Sequence, residues 1–396
     1  MPAVGILSVL RAPQVPRVLT AAQVGRLPSA SAPLALLLFA RQSLSLTTAG
    51  LLVAAYTGAM AVGAPLLARS VDRWRQPPVL WAGALLSGVG FTTVASGVLG
   101  TTGAVLGAAV AGLGTPPLEA CLRSLWPALL PPTAVPAAYA LDVAVQEVIF
   151  VVGPLTTLLA VTVGGPAAGL VVAALLQLAG TAVFARARAV RDWRGVRAVR
   201  HWAGPLRVPR FAAVLAAVVC TGAAIGGIAV AVTAYAEVAG ARRMAGWLLA
   251  AQAAGALTGG LLYARAGPGG ARRLPLLAAG LALGFLPLLW TPRPVLMALL
   301  LAVSGLALPP VLTAIFIAVD RLAEPGTAAE AFAWVATAFA VGSAAGSALS
   351  GPLLTTGVRH GLALAPVAAL LGAAVLAALT LRTTSTSTST ATGDER

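Results

Sequence analysis

The chain has 396 residues, 59% of them hydrophobic and 9% charged, with a mean hydropathy of +0.93. Soluble domains carry roughly 25% charged residues and disordered chains are short of apolar ones. Both classes are excluded, and an all-α polytopic membrane protein remains. The net charge of +15 rests on 26 basic residues, all of them Arg. In a soluble chain that balance would point to nucleic acid; in a membrane chain it is first a topology signal, and no nucleic-acid partner is expected.

Residues 1–17 read as a short N-terminal segment without the basic start of a signal peptide. Apolar stretches then recur near 18–40, 45–68, 79–99, 102–126, 136–163 and 165–185, which together make a first six-helix unit, 18–185. A basic connector, 186–209, follows. A second unit, 210–381, holds stretches near 210–236, 244–266, 274–291, 295–319, 327–354 and 361–381. The end, 382–396, carries a Ser/Thr repeat from Thr383 and reads as a disordered tail. With twelve spans and both termini cytoplasmic, nineteen Arg fall inside and five outside (Arg41, Arg242, Arg243, Arg293 and Arg359). That bias supports a multi-pass plasma-membrane protein in this orientation. Cys121 and Cys220 lie in apolar runs and read as reduced thiols.

The connector has two readings. It is a solvated linker whose Arg residues only fix topology, or it is an amphipathic helix on the anionic inner leaflet. The second reading sets Arg191, Arg194, Arg197 and Arg200 in one row against Trp193, Val196, Val199 and Trp202 in another.

The two units repeat one another. Gly112-Leu-Gly-Thr-Pro-Pro117 matches Gly305-Leu-Ala-Leu-Pro-Pro310 at an offset of 193, which also sends Ala138-Tyr-Ala-Leu141 onto Ala331-Phe-Ala-Trp334 and Gly153 onto Gly346. An offset of 196 sends Gly50–Arg69 onto Gly246–Arg265 with eight identities in twenty positions. Parallel six-span repeats are one architecture of secondary transporters, with the substrate site between them.

In this organisation the chain resembles the major facilitator superfamily over nearly its whole length. The family's loop between spans two and three reads Gly-x-x-x-Asp-Arg-x-Gly followed by a basic pair. Here Ala68-Arg-Ser-Val-Asp72-Arg73-Trp-Arg75-Gln-Pro77 keeps Asp72 and Arg73, while Ala68 and Arg75 replace the glycines. The resemblance implies that Asp72, Arg73 and Arg75 form a conformational latch, with Asp72 against the N-terminus of span eleven near Thr327. Gly153-Pro154 in span five matches the core of a motif associated with the family's exporters.

Ionisable residues inside spans are functional candidates by default. Arg26, Glu119, Arg123, Asp142 and Glu147 form such a group in spans one, four and five. At ~1.5 Å per residue, Arg26, Glu119 and Asp142 lie roughly 9–12 Å deep and Glu147 about 16 Å. Glu119 and Arg123 make an i,i+4 pair, and Arg26 faces Asp142 or Glu147. Two bases against three acids leave one carboxyl over, and Glu147 is the first proton-carrying candidate, Asp142 the second. The competing reading is a static polar lock.

The second unit has no such group; Glu237, Asp320 and Glu330 sit at span ends, where capping or solvation accounts for them. A substrate cavity is expected to use Gln146, Thr233, Tyr235, Thr313, Phe316 and Trp334. Pro116, Pro117, Pro309 and Pro310 should bend spans four and ten alike, either as structural kinks or to free carbonyls for substrate. Gly267–Gly270 lacks the Lys-Ser/Thr of a phosphate loop. His201 and His360 fall on opposite sides, so no metal site is expected, and no nucleophile with a His base is present. The sequence therefore reads as a monomeric, proton-coupled exporter of a small organic solute, without cofactors and driven by the proton gradient. An uptake permease, a facilitative carrier and a non-transporting receptor or assembly protein are the alternatives.

Overall fold

The computed structural model describes residues 6–195, 203–240, 244–266 and 273–391, with side chains as far as Leu379. Every regular element among them is helical. A short α1 (Ile6–Arg11) leads into α2 (Val15–Ala40), α3 (Leu46–Arg73), α4 (Gln76–Ser96), α5 (Gly100–Leu113), α6 (Leu118–Leu129), α7 (Val135–Gly164) and α8 (Pro166–Ala185). After the short α9 (Arg188–Asp192) come α10 (Pro209–Val238), α11 (Met244–Ala266), α12 (Leu274–Phe285), α13 (Pro294–Gly305), α14 (Leu308–Leu322), α15 (Ala328–Thr355) and α16 (Val358–Ala391). Ten described helices, counting α5–α6 and α13–α14 each as one, are long and apolar enough to cross a bilayer. The chain is an integral membrane protein. Two further helical stretches are α2, which carries Arg26 and two internal prolines, and α12 with its 3-10 extension Leu286–Trp290.

Proline sets many of the starts. Pro166, Pro209 and Pro294 open α8, α10 and α13, where a missing N–H costs nothing. Ser45 caps α3 by accepting from the Thr48 N–H at 3.1 Å. Gly165, at φ 78°, makes the sharp link from α7 to α8.

α2 packs on α7 and α8, α3 on α5, and α4 on α5 and α8; among the later helices α10 packs on α15 and α16, α11 on α13, and α12 on α16. The two groups meet through α3 against α15 and α7 against α11 and α14. Close backbone approaches recur at corresponding places. A Cβ on Gly63 would lie 2.3 Å from the Leu113 carbonyl oxygen, and one on Gly259 2.2 Å from that of Leu306. A Cβ on Gly112 would meet the Tyr56 oxygen at 2.0 Å, and one on Gly305 the Gln252 oxygen at 2.2 Å.

One buried apolar cluster runs through both groups, from Val15, Ala68, Leu122 and Tyr139 to Phe316, Phe332 and Leu362. A smaller one, with Leu36, Leu52, Tyr56 and Phe91, stands apart in the first group, towards the end away from the connector. At the connector end Tyr139, Phe316 and Phe332 stack in a triad drawn from α7, α14 and α15, with centroids 5.7–6.2 Å apart.

The proline pairs act more strongly than bends, and not alike. Thr115–Pro117 leave the helix entirely between α5 and α6, whereas Leu306–Ala307 make a turn that places Pro309 and Pro310 in the first turn of α14. Glycines at 112 and 114 favour the wider break, because glycine gives little helical support.

The connector also departs from the amphipathic-helix reading. α9 stops at Asp192, Trp193–Gly195 are not helical, and 196–202 lie outside the described residues. The Arg191 carbonyl, which a continuing helix would need, instead accepts from Arg75 at 2.9 Å and Arg194 at 2.6 Å. α16 continues through the Ser/Thr repeat to Ala391, where the sequence suggests a disordered tail. Extension of a formed helix adds one bond per residue.

Candidate functional site: a buried charge lattice and a helix-start latch

α2, α6 and α7 bring four of the five intramembrane charges together. Arg26 Nη1 lies 3.0 Å from Asp142 Oδ1, and its Nη2 lies 3.1 Å from Glu119 Oε2. Arg123 Nε lies 2.8 Å from Asp142 Oδ2, and its Nη1 pairs with Glu119 Oε1. Gln146 Oε1 accepts from both guanidinium groups, at 2.7 Å from Arg26 and 3.2 Å from Arg123. Asp142 is fully buried, Arg123 1% exposed and Arg26 7% exposed. Each Arg therefore bridges both acids, and the quartet is neutral, which such burial requires.

Two members complete this lattice. Gln23 donates to Asp142 Oδ1 at 3.4 Å; the sequence reading missed it, although it lies one turn before Arg26 on α2. Phe316 of α14 covers the Arg123 guanidinium, with 3.7 Å between the guanidinium carbon and the ring centroid. This cation–π contact joins the lattice to the second group of helices. Arg26 thus faces Asp142 and not Glu147. Half-buried Glu147 makes no ion pair or hydrogen bond among the described residues and is turned about 100° from Gln146 on α7.

The second constellation lies at the connector end. Asp72, at the end of α3 and 4% exposed, accepts from the backbone N–H groups of Ala329 (3.2 Å) and Glu330 (2.8 Å) in the first turn of α15. A helix start offers free N–H donors and partial positive charge to such a carboxylate. Of the two accounts open to Glu330 at its span end, capping and solvation, its burial at 5% exposed in the first turn of α15 fits the first. Glu330 lies 3.8 Å from Arg69 Nε, and the connector's Gly204 backbone closes over its carboxylate. Arg75 reaches the Arg191 carbonyl and Arg73 lies 5.9 Å from the Trp74 ring centroid. Gly195 packs so tightly on the Asp72 carbonyl oxygen that a Cβ there would approach within 2.4 Å. Thr337 of α15 adds a bond to the Ala61 carbonyl of α3 at 3.1 Å.

The six cavity candidates do not gather in one place. Gln146 and Phe316 belong to the charge lattice. Thr313 is fully buried, and neither its hydroxyl nor the Trp334 indole N–H has a hydrogen-bond partner among the described residues. Exposed Thr233 bonds back to Ala229 of its own helix at 2.9 Å. Tyr235 donates to the Pro292 carbonyl and lines a cleft at the end of the bundle away from the connector. No group of three or more His, Cys, Asp or Glu able to hold a metal is found among the described residues.

Interrupted apolar helices, a buried charge lattice and a carboxylate that pins one helix group to the other define a polytopic membrane protein. The model of the Major Facilitator Superfamily matches residues 28–347, and the chain belongs to that family. Membership places it among transporters rather than enzymes. No curated protein matches its sequence. Solved structures share the fold at low identity. The human organic anion transporter MFSD10 (TETRAN) superposes with a TM-score of 0.71 at 16% identity, covering 92% of this chain and 100% of that one. A bacterial homologue of the iron transporter ferroportin, in its outward-facing state, gives 0.71 at 14%, covering 91% and 98%. The proton:xylose symporter XylE bound to 6-bromo-6-deoxy-D-glucose gives 0.66 at 14%, covering 90% and 94%.

Proposed function

We propose that the protein is a twelve-span secondary active transporter that exports a small organic solute by alternating access, driven by inward proton flow. Its two six-helix repeats, α2–α8 and α10–α16, are supported by the paired glycine approaches, since Gly63 and Gly259, and Gly112 and Gly305, stand at the two sequence offsets. The Arg bias puts both termini and the connector on the cytoplasmic side of the plasma membrane. Asp72 on the start of α15 then holds the cytoplasmic side shut, with Arg75 tying the connector to the same corner.

One observation carries the coupling: Glu147 lies in span five with no ion-pair or hydrogen-bond partner among the described residues, while every other charge of the group is neutralised. A carboxyl so placed is free to exchange a proton without breaking the lattice. Export rests on Gly153-Pro154, whose glycine packs on the Leu27 carbonyl and Ala30 of α2.

The test begins with a thermal-shift screen of the purified chain against metabolites, antibiotics and sugars. Hits go into proteoliposomes carrying an internal pH dye. A hit should move protons, collapse of the pH gradient should stop accumulation, and Glu147→Gln should bind the hit but move no protons. Accumulation unchanged in both tests removes the coupling. No hit and no flux sinks transport in favour of a non-transporting receptor.

A further inference from the structure

At the end of the bundle away from the connector, three chain segments converge on an open cleft of about 630 Å³. They are the C-terminus of α10 (Tyr235, Val238 and Ala239), the link Thr291–Pro294 before α13, and the link and helix start Thr356–His360. The Tyr235 hydroxyl donates to the Pro292 carbonyl, so the aromatic ring ties the middle segment to α10. Arg293 and Arg359 come from different segments, both are exposed, and neither has an ion pair or a side-chain hydrogen bond among the described residues. No acidic residue lines the cleft among the described residues, and His360 adds a third nitrogen-bearing side chain.

The surroundings say what kind of anion fits. Val238, Trp290 and Val295 flank the cleft and are 79%, 75% and 74% exposed. Exposed apolar side chains with a Trp among them mark the level where acyl chains give way to headgroups. A cleft with two unpaired guanidinium groups at that level matches a phosphate, which Arg binds through paired N–H donors. The first turn of α16 lies in the wall and adds the partial positive charge of a helix start.

We propose that this cleft binds a phosphate-bearing anion through Arg293 and Arg359, as the headgroup of an anionic phospholipid or as a soluble organic phosphate. The site is separate from the charge lattice, and its existence does not depend on the transport reading.

The test titrates the purified full chain with short-chain phosphatidylglycerol, short-chain phosphatidylcholine and glycerol 1-phosphate, reading bound species by native mass spectrometry. Phosphatidylglycerol should bind more tightly than phosphatidylcholine. Changing both arginines, R293Q with R359Q, should weaken it about 30-fold, from the attraction of two basic side chains to an anionic headgroup. The lysine pair, R293K with R359K, keeps the charge but not the paired donors and should fall between the wild type and the Gln variant. Glycerol 1-phosphate that binds as well as the lipid, with the same loss in the Gln variant, identifies a soluble source; lipid binding alone identifies the headgroup. Should the double variant not fold, the single variants R293Q and R359Q should each lose about fivefold. Affinity for both phosphate probes within twofold of wild type in folded Gln variants overturns the proposal.

Discussion

Replacing Asp72 with Asn isolates the charge of the latch while keeping its size. The carboxylate accepts two backbone N–H groups, from Ala329 at 3.2 Å and Glu330 at 2.8 Å, and is 4% exposed; on the proposed function this is the arrangement closed at the connector end. Asn keeps one acceptor oxygen and turns a donor towards the other N–H. The change removes one charge-assisted bond, worth about 1.5–3 kcal/mol. It also removes the attraction of a negative charge to a partly buried helix start, about 1 kcal/mol. After a discount for overlap between these effects, the closed state should lose about 2–3 kcal/mol. At 1.4 kcal/mol per factor of ten, that is roughly a 30- to 150-fold shift towards opening at the connector end. The assay is maleimide labelling of Ala331→Cys, a fully buried position in the first turn of α15, in a Cys121→Ala, Cys220→Ala background. Measured in nanodiscs, where the reagent reaches both faces, Asp72→Asn should accelerate labelling by that order until opening is no longer rare. A rate within twofold of the parent would show that the contact does not govern closure.

The charge lattice predicts a contrast between two acids on one helix. Asp142→Asn leaves two buried guanidinium groups sharing Glu119 alone, one positive charge uncompensated, and should cost about 3–5 kcal/mol, seen as a clear fall in the melting temperature. Glu147→Gln breaks no described ion pair and should shift stability by less than about 0.5 kcal/mol; equal melting temperatures would refute the assignment. Gly63→Ala and Gly259→Ala each drive a methyl group against a backbone carbonyl and should each cost about 1–3 kcal/mol. Gly58→Ala, which meets nothing within 4 Å, should be neutral or stabilising by the same melting assay. Phe316→Leu removes the face over Arg123, worth about 0.5–2 kcal/mol, and should raise the labelling rate of Ala331→Cys.

How much of this was legible in the sequence depended on what each residue's neighbours had to supply. The group of five charges stood out because a bare charge in an apolar span is costly, so its members needed one another. Counting residues from the span edges gave their depth but not their direction around each helix, which left Arg26 between Asp142 and Glu147. Gln23 escaped notice because a neutral amide carries no such penalty. The prolines marked the interruptions, but not their difference. The wider break between α5 and α6 depends on Gly112 and Gly114 being pressed against α3 and α4. Glu330 at a span end suited capping and solvation equally, and its burial depends in part on Gly204 of the connector, which closes over it. That contact joins residues 126 positions apart, and no local periodicity encodes it.

Asp72 and Phe316 together decide whether closure is one event. Asp72 joins α3 to α15, while Phe316 joins α14 to Arg123 of α6, so the two contacts share no residue but bridge the same pair of helix groups. If the groups move as rigid bodies, both contacts break in the same opening. Their effects on its free energy should then add, as for independent sites acting on a common equilibrium. The labelling rate of Ala331→Cys in the double variant should equal the parent rate multiplied by the two single-variant factors, while opening stays rare. If the start of α15 frays alone, Phe316→Leu leaves labelling unchanged and the double variant matches Asp72→Asn. The interlocked Tyr139–Phe316–Phe332 stack argues for the first outcome. Phe332 sits one turn from the N–H groups that Asp72 holds, so α15 cannot leave Asp72 without disturbing the ring that covers Arg123.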